Sequence, residues 1–402
     1  MTWQWQDDAC WHACSAEAQA RANGWLKDSD ALLKQLVDLA SAQPLASATS
    51  ADLALWRAHA AELRGISSQL VVIGTGGASL GAQALCALAD EPGRVRFFEN
   101  CDPSTAASFA RLPCDDTAWL IVSKSGETVE TLAATLSLIT HCEDVEMLRT
   151  RVRVIVGNAE STLAQLARLQ GWTMLEHPPQ LGGRFSVFSI VGLLPASYAG
   201  LDIAAIHAAA QAHLYADETL LAHAAWLAAN SREKPIHVIM AYADRLRATT
   251  QWYKQLWAES LGKDGAGSTL VTAIGSIDQH SQLQLYLDGP RDKLMSLWLP
   301  DVSTEGTPLP SLPIPGLAYL ADHRMGEVMQ ATAEATVTTL TNAGAPLRVA
   351  RGVLTPASLA EWMARQMMET LAVALLLEID PYSQPAVEEG KLLTRKALAG
   401  AR

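Results

Sequence analysis

The strongest constraint on this chain is a change of character at residue 123. Ala118-Trp119-Leu120-Ile121 is an apolar run that reads as a buried strand. It passes through Val122 into Ser123-Lys124-Ser125-Gly126-Glu127-Thr128, and then into Thr131-Leu132-Ala133-Ala134-Thr135-Leu136, which reads as a helix. Strand, tight turn and helix in that order belong to an alternating α/β fold. The first N–H groups of a helix have no internal partners, and the helix dipole favours an anion there. Ser123, Ser125 and Thr128 bring O–H donors to the same place. A phosphate monoester, with three oxygens to fill, suits that donor set better than a carboxylate. The same residues also describe an ordinary capped helix start.

The alternation continues on both sides. Leu70-Val71-Val72-Ile73 is a strand that runs into Gly74-Thr75-Gly76-Gly77-Ala78-Ser79-Leu80-Gly81 and a helix over residues 82–89. Val95-Arg96-Phe97-Phe98 and Val152-Arg153-Val154-Ile155-Val156 are further strands. The glycine turn has the look of a dinucleotide fingerprint, with Glu99 near the distance of a ribose ligand, but Ser79 stands at the third glycine position. A parallel, doubly wound sheet places its ligands at the carboxyl ends of the strands, where both turns would lie.

A second α/β region opens with Pro235-Ile236-His237-Val238-Ile239-Met240, followed by a helix over 245–261. Strands at residues 268–274 and 293–299 follow, then a Pro/Gly-rich loop over 300–316, a helix over 317–341, a short strand at 348–350 and a helix over 358–377. The spacing therefore predicts two doubly wound parallel-sheet domains, over 66–195 and 231–376. A helical N-terminal segment (1–65), a helical connector (196–230) and a helical tail (377–402) complete the chain. No internal sequence repeat is visible, although the two α/β regions could be structural cousins.

The chain has 402 residues and a formal net charge of −12, which argues against nucleic acid or an anionic membrane surface as partner. The N-terminus carries no secretory signal pattern, and the longest apolar run near the end, Leu371-Ala372-Val373-Ala374-Leu375-Leu376-Leu377, is too short to span a bilayer. Six cysteines are scattered, at 10, 14, 86, 101, 114 and 142. Cys10-Trp11-His12-Ala13-Cys14 has a metal-like look, but no second pair stands at ligand spacing, so reduced cytoplasmic thiols are expected.

Several single residues invite chemistry. Gln255 and Glu259 are four apart on one helix face, beside Trp252. A carboxylate there is partly desolvated, which raises its pKa toward what a general base needs, although an ion pair with Lys263 would explain the same glutamate. His280 follows a βα turn. Arg184 sits beside two glycines in Gly182-Gly183-Arg184. Lys391 lies in a short C-terminal helix, where it would otherwise be an ordinary solvated lysine.

Taken together, these stretches resemble the phosphoglucose isomerase family, in its short bacterial form with two sugar-isomerase domains. Ser123-Lys124-Ser125-Gly126-Glu127-Thr128 is similar to its phosphate loop. Gly183-Arg184-Phe185-Ser186 is similar to its arginine signature, and Gln255-Leu256-Trp257-Ala258-Glu259-Ser260-Leu261-Gly262-Lys263 to the stretch holding its base. Asp278-Gln279-His280 and Tyr382-Ser383-Gln384-Pro385-Ala386-Val387-Glu388-Glu389-Gly390-Lys391 complete the set, in the family's order. Two departures stand out. Ala78 occupies the place of a usual serine, with Ser79 as a candidate replacement, and Ser383 stands where Asp, Asn, Thr or His is usual.

The resemblance implies interconversion of glucose 6-phosphate and fructose 6-phosphate through a cis-enediol, in glycolysis and gluconeogenesis. It implies Glu259, His280, Lys391 and Arg184 as catalytic residues. Gly77, Ser79, Ser123, Lys124, Ser125, Thr128, Gly183 and Gln255 would bind substrate. It implies no metal and no cofactor, a cytoplasmic homodimer, and a His280 reaching the neighbouring subunit's site. Rival readings are an isomerase that also accepts mannose 6-phosphate, a non-catalytic sugar-phosphate sensor of the same fold, and a dinucleotide-dependent enzyme using the glycine turn.

Overall fold

The computed structural model describes residues 3–6 and 14–400. Its ten strands are β1 (Gln4–Gln6), β2 (Gln69–Ile73), β3 (Val95–Phe98), β4 (Thr117–Ser123), β5 (Val152–Val156), β6 (Thr173–Glu176), β7 (Ile236–Ala241), β8 (Thr269–Ile274), β9 (Lys293–Asp301) and β10 (Leu347–Val353). They form two five-stranded sheets, β3-β2-β4-β5-β6 and β1-β10-β9-β7-β8. The first is parallel throughout, and the second is parallel except for β1, which pairs antiparallel with β10. All seven residues of β4 are buried, which is why its sequence is an unbroken apolar run instead of an alternating one.

The two sheets share one winding. In the first, β3 lies on one side of β2 and β4 on the other, so the chain reverses direction between β2 and β4. In the second, β8 and β9 flank β7 in the same way. Loops at the carboxyl ends of the strands separate at such a switch point and leave a crevice.

The chain divides into two compact units that cross the expected boundaries. One comprises Met1–Leu39 and Ala212–Ile379, the other Ala40–Gln211 and Asp380–Arg402. The first 65 residues are thus not one helical segment. Strand β1 and helix Ala16–Trp25 belong with the second sheet, whereas helix Ser50–Arg64 packs on helix Ile190–Tyr198 beside the first. Strand β1 is only Gln-Trp-Gln, too short to show a period. The tail from Asp380 onward belongs with the first sheet.

Other expectations need small corrections. The expected connector is two helices, Ile203–His213 and Glu218–Asn230. The helix expected over 317–341 is instead Met325–Asn342. Asp322 takes a left-handed φ of +66°, which a continuous helix does not allow, and the Glu327 carboxylate accepts from the Arg324 N–H at 2.6 Å to start the helix afresh.

The cysteine expectation is overturned at one place. Cys114 and Cys142 form a disulfide, with their Cα atoms 6.0 Å apart. Cys86 remains a thiol, its pKa pushed up to about 12 by burial, and Cys101 is an exposed thiol. The metal-like stretch from Cys10 to Ala13 lies outside the described residues. Among the described residues, no helix is long and apolar enough to cross a membrane.

Candidate active site

The turn after β4 is built by its own hydrogen bonds. The Gly126 N–H donates to Ser123 Oγ at 3.1 Å, and Ser123 Oγ lies 3.1 Å from Thr128 Oγ1. Gly126 holds φ +68°, and a Cβ there would meet Ser161 Oγ at 2.0 Å, so the position admits only glycine. The Glu127 carboxylate accepts from the Thr162 N–H at 2.7 Å and from the Thr162 hydroxyl at 3.0 Å, pinning the turn to the next helix. Thr128 stands at the cap position of helix Val129–His141, yet no side chain caps that helix. Its leading N–H groups therefore keep their capacity for a ligand.

The neighbouring turn, after β2, is narrow for a different reason. A Cβ on Gly77 would lie 2.3 Å from the backbone carbon of Gly183, so two chain segments meet here without side chains between them. The Ser186 hydroxyl lies 3.0 Å from the Gly77 carbonyl and 2.7 Å from that of Gly183, tying the segments together.

These turns enclose a cleft of about 440 Å³. Gly77, Ser123, Lys124, Ser125, Thr128, Gly183 and Lys391 all line it, so seven residues chosen from the sequence are brought together. Lys391 arrives on helix Glu388–Gly400, where its ammonium pairs with Glu388 at 2.7 Å. The same helix is anchored to the hydroxyl turn, because Arg395 donates to the Glu127 carbonyl at 2.9 Å. Lys124 is held below the usual lysine pKa by partial burial, which makes its ammonium eager for an anion.

Two residues expected at the ligand lie elsewhere. Ser79 is fully buried, does not line the cleft, and gives its hydroxyl to the Glu99 carboxylate. It therefore does not replace the hydroxyl missing at Ala78, which is a cleft residue, and Glu99 is not held ready for a ribose. Arg184 is also buried and does not line the cleft. Its guanidinium donates to the Pro381 carbonyl and lies over the Phe185 ring, and Phe185 in turn meets Tyr382 edge-on. Burial, with Asp380 nearby, pushes the Tyr382 phenol well above its ordinary range.

Several lining residues escaped the sequence reading. Thr75, Asn158 and Gln384 carry polar groups to the cleft from three separate loops. Thr131 is the most telling. It is 2% exposed, faces the cleft, and its hydroxyl has no hydrogen-bond partner among the described residues. Its place in the first turn of helix Val129–His141, three residues after Thr128, was the available signal.

The remaining residues lie in the unit of the second sheet. Helix Arg247–Leu261 buries Trp252, Tyr253, Leu256 and Trp257 against that unit and leaves Gln255 and Glu259 half-buried. The Gln255 amide donates to Glu259 Oε1 at 2.8 Å, which fixes the carboxylate's direction. Lys263 donates to the carbonyls of Glu259 and Ser260 at 2.8 and 2.9 Å, closing the helix end. His280 ends the turn Ile277–Gln279, where Asp278 accepts from the Ile274 N–H at 2.6 Å and Gln279 reaches Thr336. Its imidazole is exposed, and no described residue hydrogen-bonds it.

Comparison with known proteins agrees with this geometry. Residues 54–280 match the phosphoglucose isomerase family. A glucose-6-phosphate isomerase of Rubrobacter xylanophilus is 36% identical over 355 residues, covering 82% of each chain. The chain belongs to the phosphoglucose isomerase family. A glucose-6-phosphate isomerase of Thermus thermophilus is 35% identical over 349 residues, covering 82% of this chain and 84% of that one. Among solved structures, a hypothetical protein of Thermus thermophilus superposes with a TM-score of 0.88 at 29% identity, over 99% of this chain and 100% of that one. A glucose-6-phosphate isomerase of Chlamydia trachomatis, at 18% identity, shares the fold with a TM-score of 0.78 over 95% of this chain and 86% of that one. This member of the family holds its hydroxyl turn, glycine pair and C-terminal lysine around one cleft.

Proposed function

We propose that this chain interconverts glucose 6-phosphate and fructose 6-phosphate, an aldose–ketose isomerisation in glycolysis and gluconeogenesis. The observation that carries the reading is the shared cleft of Ser123, Lys124, Ser125, Thr128 and Lys391, floored by an uncapped helix start. Hydroxyls, an ammonium and free N–H groups suit a phosphate dianion. Thr131 adds a fourth hydroxyl. Gly77 and Gly183 let their two chain segments meet closely at the wall of the cleft. Holding the phosphate fixes the reacting carbons at the far end of the substrate, where orientation lowers the barrier.

In this reading His280 and Lys391 open the ring by moving a proton between the ring oxygen and the hydroxyl on carbon 1. Glu259 then takes the proton from carbon 2, which is α to the carbonyl of the open aldose, and returns it to carbon 1 through a cis-enediol. Gln255 aims the carboxylate. Arg184, buried and donating to the Pro381 carbonyl, acts at a distance by ordering the 381–382 segment on which the tail depends. The chain acts as a cytoplasmic homodimer. The exposed, unpartnered imidazole of His280 supports its donation to a neighbouring subunit. The presence of Gln255 one turn before Glu259 favours this reading over the mannose-accepting one, and the retention of Glu259, His280 and Lys391 in one sequence favours it over a sensor.

The test is a coupled assay. The purified chain is given fructose 6-phosphate, with glucose-6-phosphate dehydrogenase and NADP to report product. Steady NADPH formation is expected. Tight binding of fructose 6-phosphate with no product would make the chain a sensor instead.

A further inference from the structure

The disulfide found in place of the expected thiols has a neighbour that a structural disulfide does not need. One donor atom each from Cys114, His141 and Cys142 lies within 4.8 Å of the others, close enough to share one cation. Cys114 stands in the loop leading into β4. His141 ends helix Val129–His141, and Cys142 caps it, donating its N–H to the Leu138 carbonyl at 2.9 Å. Cys142 is 4% exposed, whereas Cys114 and His141 are half-buried and reach solvent. None of the three lines the cleft.

The imidazole is already oriented. His141 Nε2 lies 3.2 Å from the Leu112 carbonyl oxygen. A ring nitrogen that donates to a carbonyl leaves the other nitrogen with its lone pair free, which is how metal-binding imidazoles are held in place. The cysteine backbones suit both oxidation states. A Cα separation of 6.0 Å lies inside the usual disulfide span. Two thiolates on one zinc ion, each at about 2.3 Å, sit roughly 3.8 Å apart, a spacing that side-chain rotation reaches without moving the backbone. Paired cysteines in a reducing compartment stay reduced, and there such a pair more often binds a metal or does redox chemistry than braces the fold.

We propose that Cys114, His141 and Cys142 form a thiol-controlled site for a thiophilic divalent cation of the zinc type. The site is filled when the sulfurs are reduced and emptied when they join. On filling, two S–H bonds break, two metal–sulfur bonds form, and the two protons pass to solvent. His141 supplies the third ligand and water the fourth. On emptying, a disulfide oxidant such as oxidised glutathione is the electron acceptor. One cysteine thiolate attacks its S–S bond and expels one glutathione thiolate. The second cysteine attacks the mixed disulfide and expels the other. Two electrons leave the cysteine pair, two reduced glutathiones form, and the cation departs with its charge unchanged.

The experiment uses the full chain carrying Cys10→Ser and Cys14→Ser, so that the other cysteine pair cannot compete. Reduced protein is titrated anaerobically with zinc against a chromophoric zinc indicator. One equivalent per chain is expected, with none taken up after treatment with oxidised glutathione and two fewer titratable thiols. Cys114→Ser should abolish uptake, and His141→Ala should weaken it about tenfold or more. Cobalt in place of zinc should give a thiolate-to-metal absorption band that oxidation removes. That comparison needs no further variant and stands if Cys114→Ser fails to fold. Absence of the band, uptake by the oxidised form, or unchanged uptake in either variant would each overturn the proposal.

Discussion

The two sheets have the same winding and spend it differently. In each, the second residue of the fourth parallel strand in chain order is an arginine paired with a glutamate from a packed helix. In the first sheet, Arg153 of β5 donates to Glu62 at 3.0 Å, and the Glu62 side chain is 60% exposed. In the second, Arg348 of β10 meets Glu369 through two bonds, at 2.8 and 2.9 Å, and the two side chains are 0% and 3% exposed. Arg348 also donates to Ser296 of β9 at 2.7 Å and lies 3.7 Å over the Trp5 ring, while Ser296 meets His237 of β7 at 2.8 Å. The first sheet has Leu120 where Ser296 stands and Leu70 where His237 stands. One sheet therefore has an apolar centre and puts its polar groups in the turns at the switch point. The other carries a buried polar network in its centre and the hydrogen-bonded Gln255–Glu259 pair on a helix face. Similar topology leaves the placement of polar groups to the individual sequence.

That contrast can be broken at several points. The largest effect is expected from Glu259→Gln. A general base is worth about 10²–10⁴ in rate, so kcat should fall by that factor while KM changes little. Unchanged turnover would move the chemistry off helix Arg247–Leu261 in the unit of the second sheet. Next comes Glu369→Ala. It removes the buried carboxylate that takes two bonds from Arg348, at a cost of about 3–5 kcal/mol, whereas Glu62→Ala should cost no more than about 1 kcal/mol. Urea unfolding of the two variants measures the difference, and equal losses would refute the distinction between the sheets.

A smaller effect is expected in the unit of the first sheet from Ser125→Ala with Thr128→Val. Hydrogen bonds to a charged group contribute about 1.5–3 kcal/mol, so KM should rise at least tenfold. A constant KM would place the phosphate elsewhere. The smallest effect concerns pH. Burial and the Arg348 charge hold His237 well below its ordinary value of 6.5. The unfolded chain then takes up a proton that the folded chain refuses. This contribution to stability is present above about pH 6.5 and is lost as pH falls below it, by about 1 kcal/mol over the first unit. Urea midpoints at pH 7.5 and 5.5 should diverge less in His237→Gln than in the unchanged chain. The first sheet has Leu70 at that place.

The strands that carried the fold were legible because parallel strands covered on both faces need unbroken apolar runs. Strand β1 was not legible, being three residues long, and neither was β6, an edge strand with only one of four residues even half-buried. The hydroxyl turn, the glycine pair and the Gln255–Glu259 spacing were legible too, since each is local. Ser79 was not. Its sequence position allows either the cleft or the interior, and only the packing of Glu99 decides between them. Thr131 was overlooked because a threonine in a helix carries no mark of what its hydroxyl faces.

By itself the sequence determined the order of elements, the winding class and the chemical kind of each motif, because these depend on neighbours a few residues away. Tertiary structure alone decided that Lys391 enters the cleft, that Arg184 is buried under Pro381, and that Cys114 reaches Cys142. Each of those outcomes joins segments well separated along the chain. Such meetings are set by how whole helices and strands pack, and no local pattern of residues encodes them.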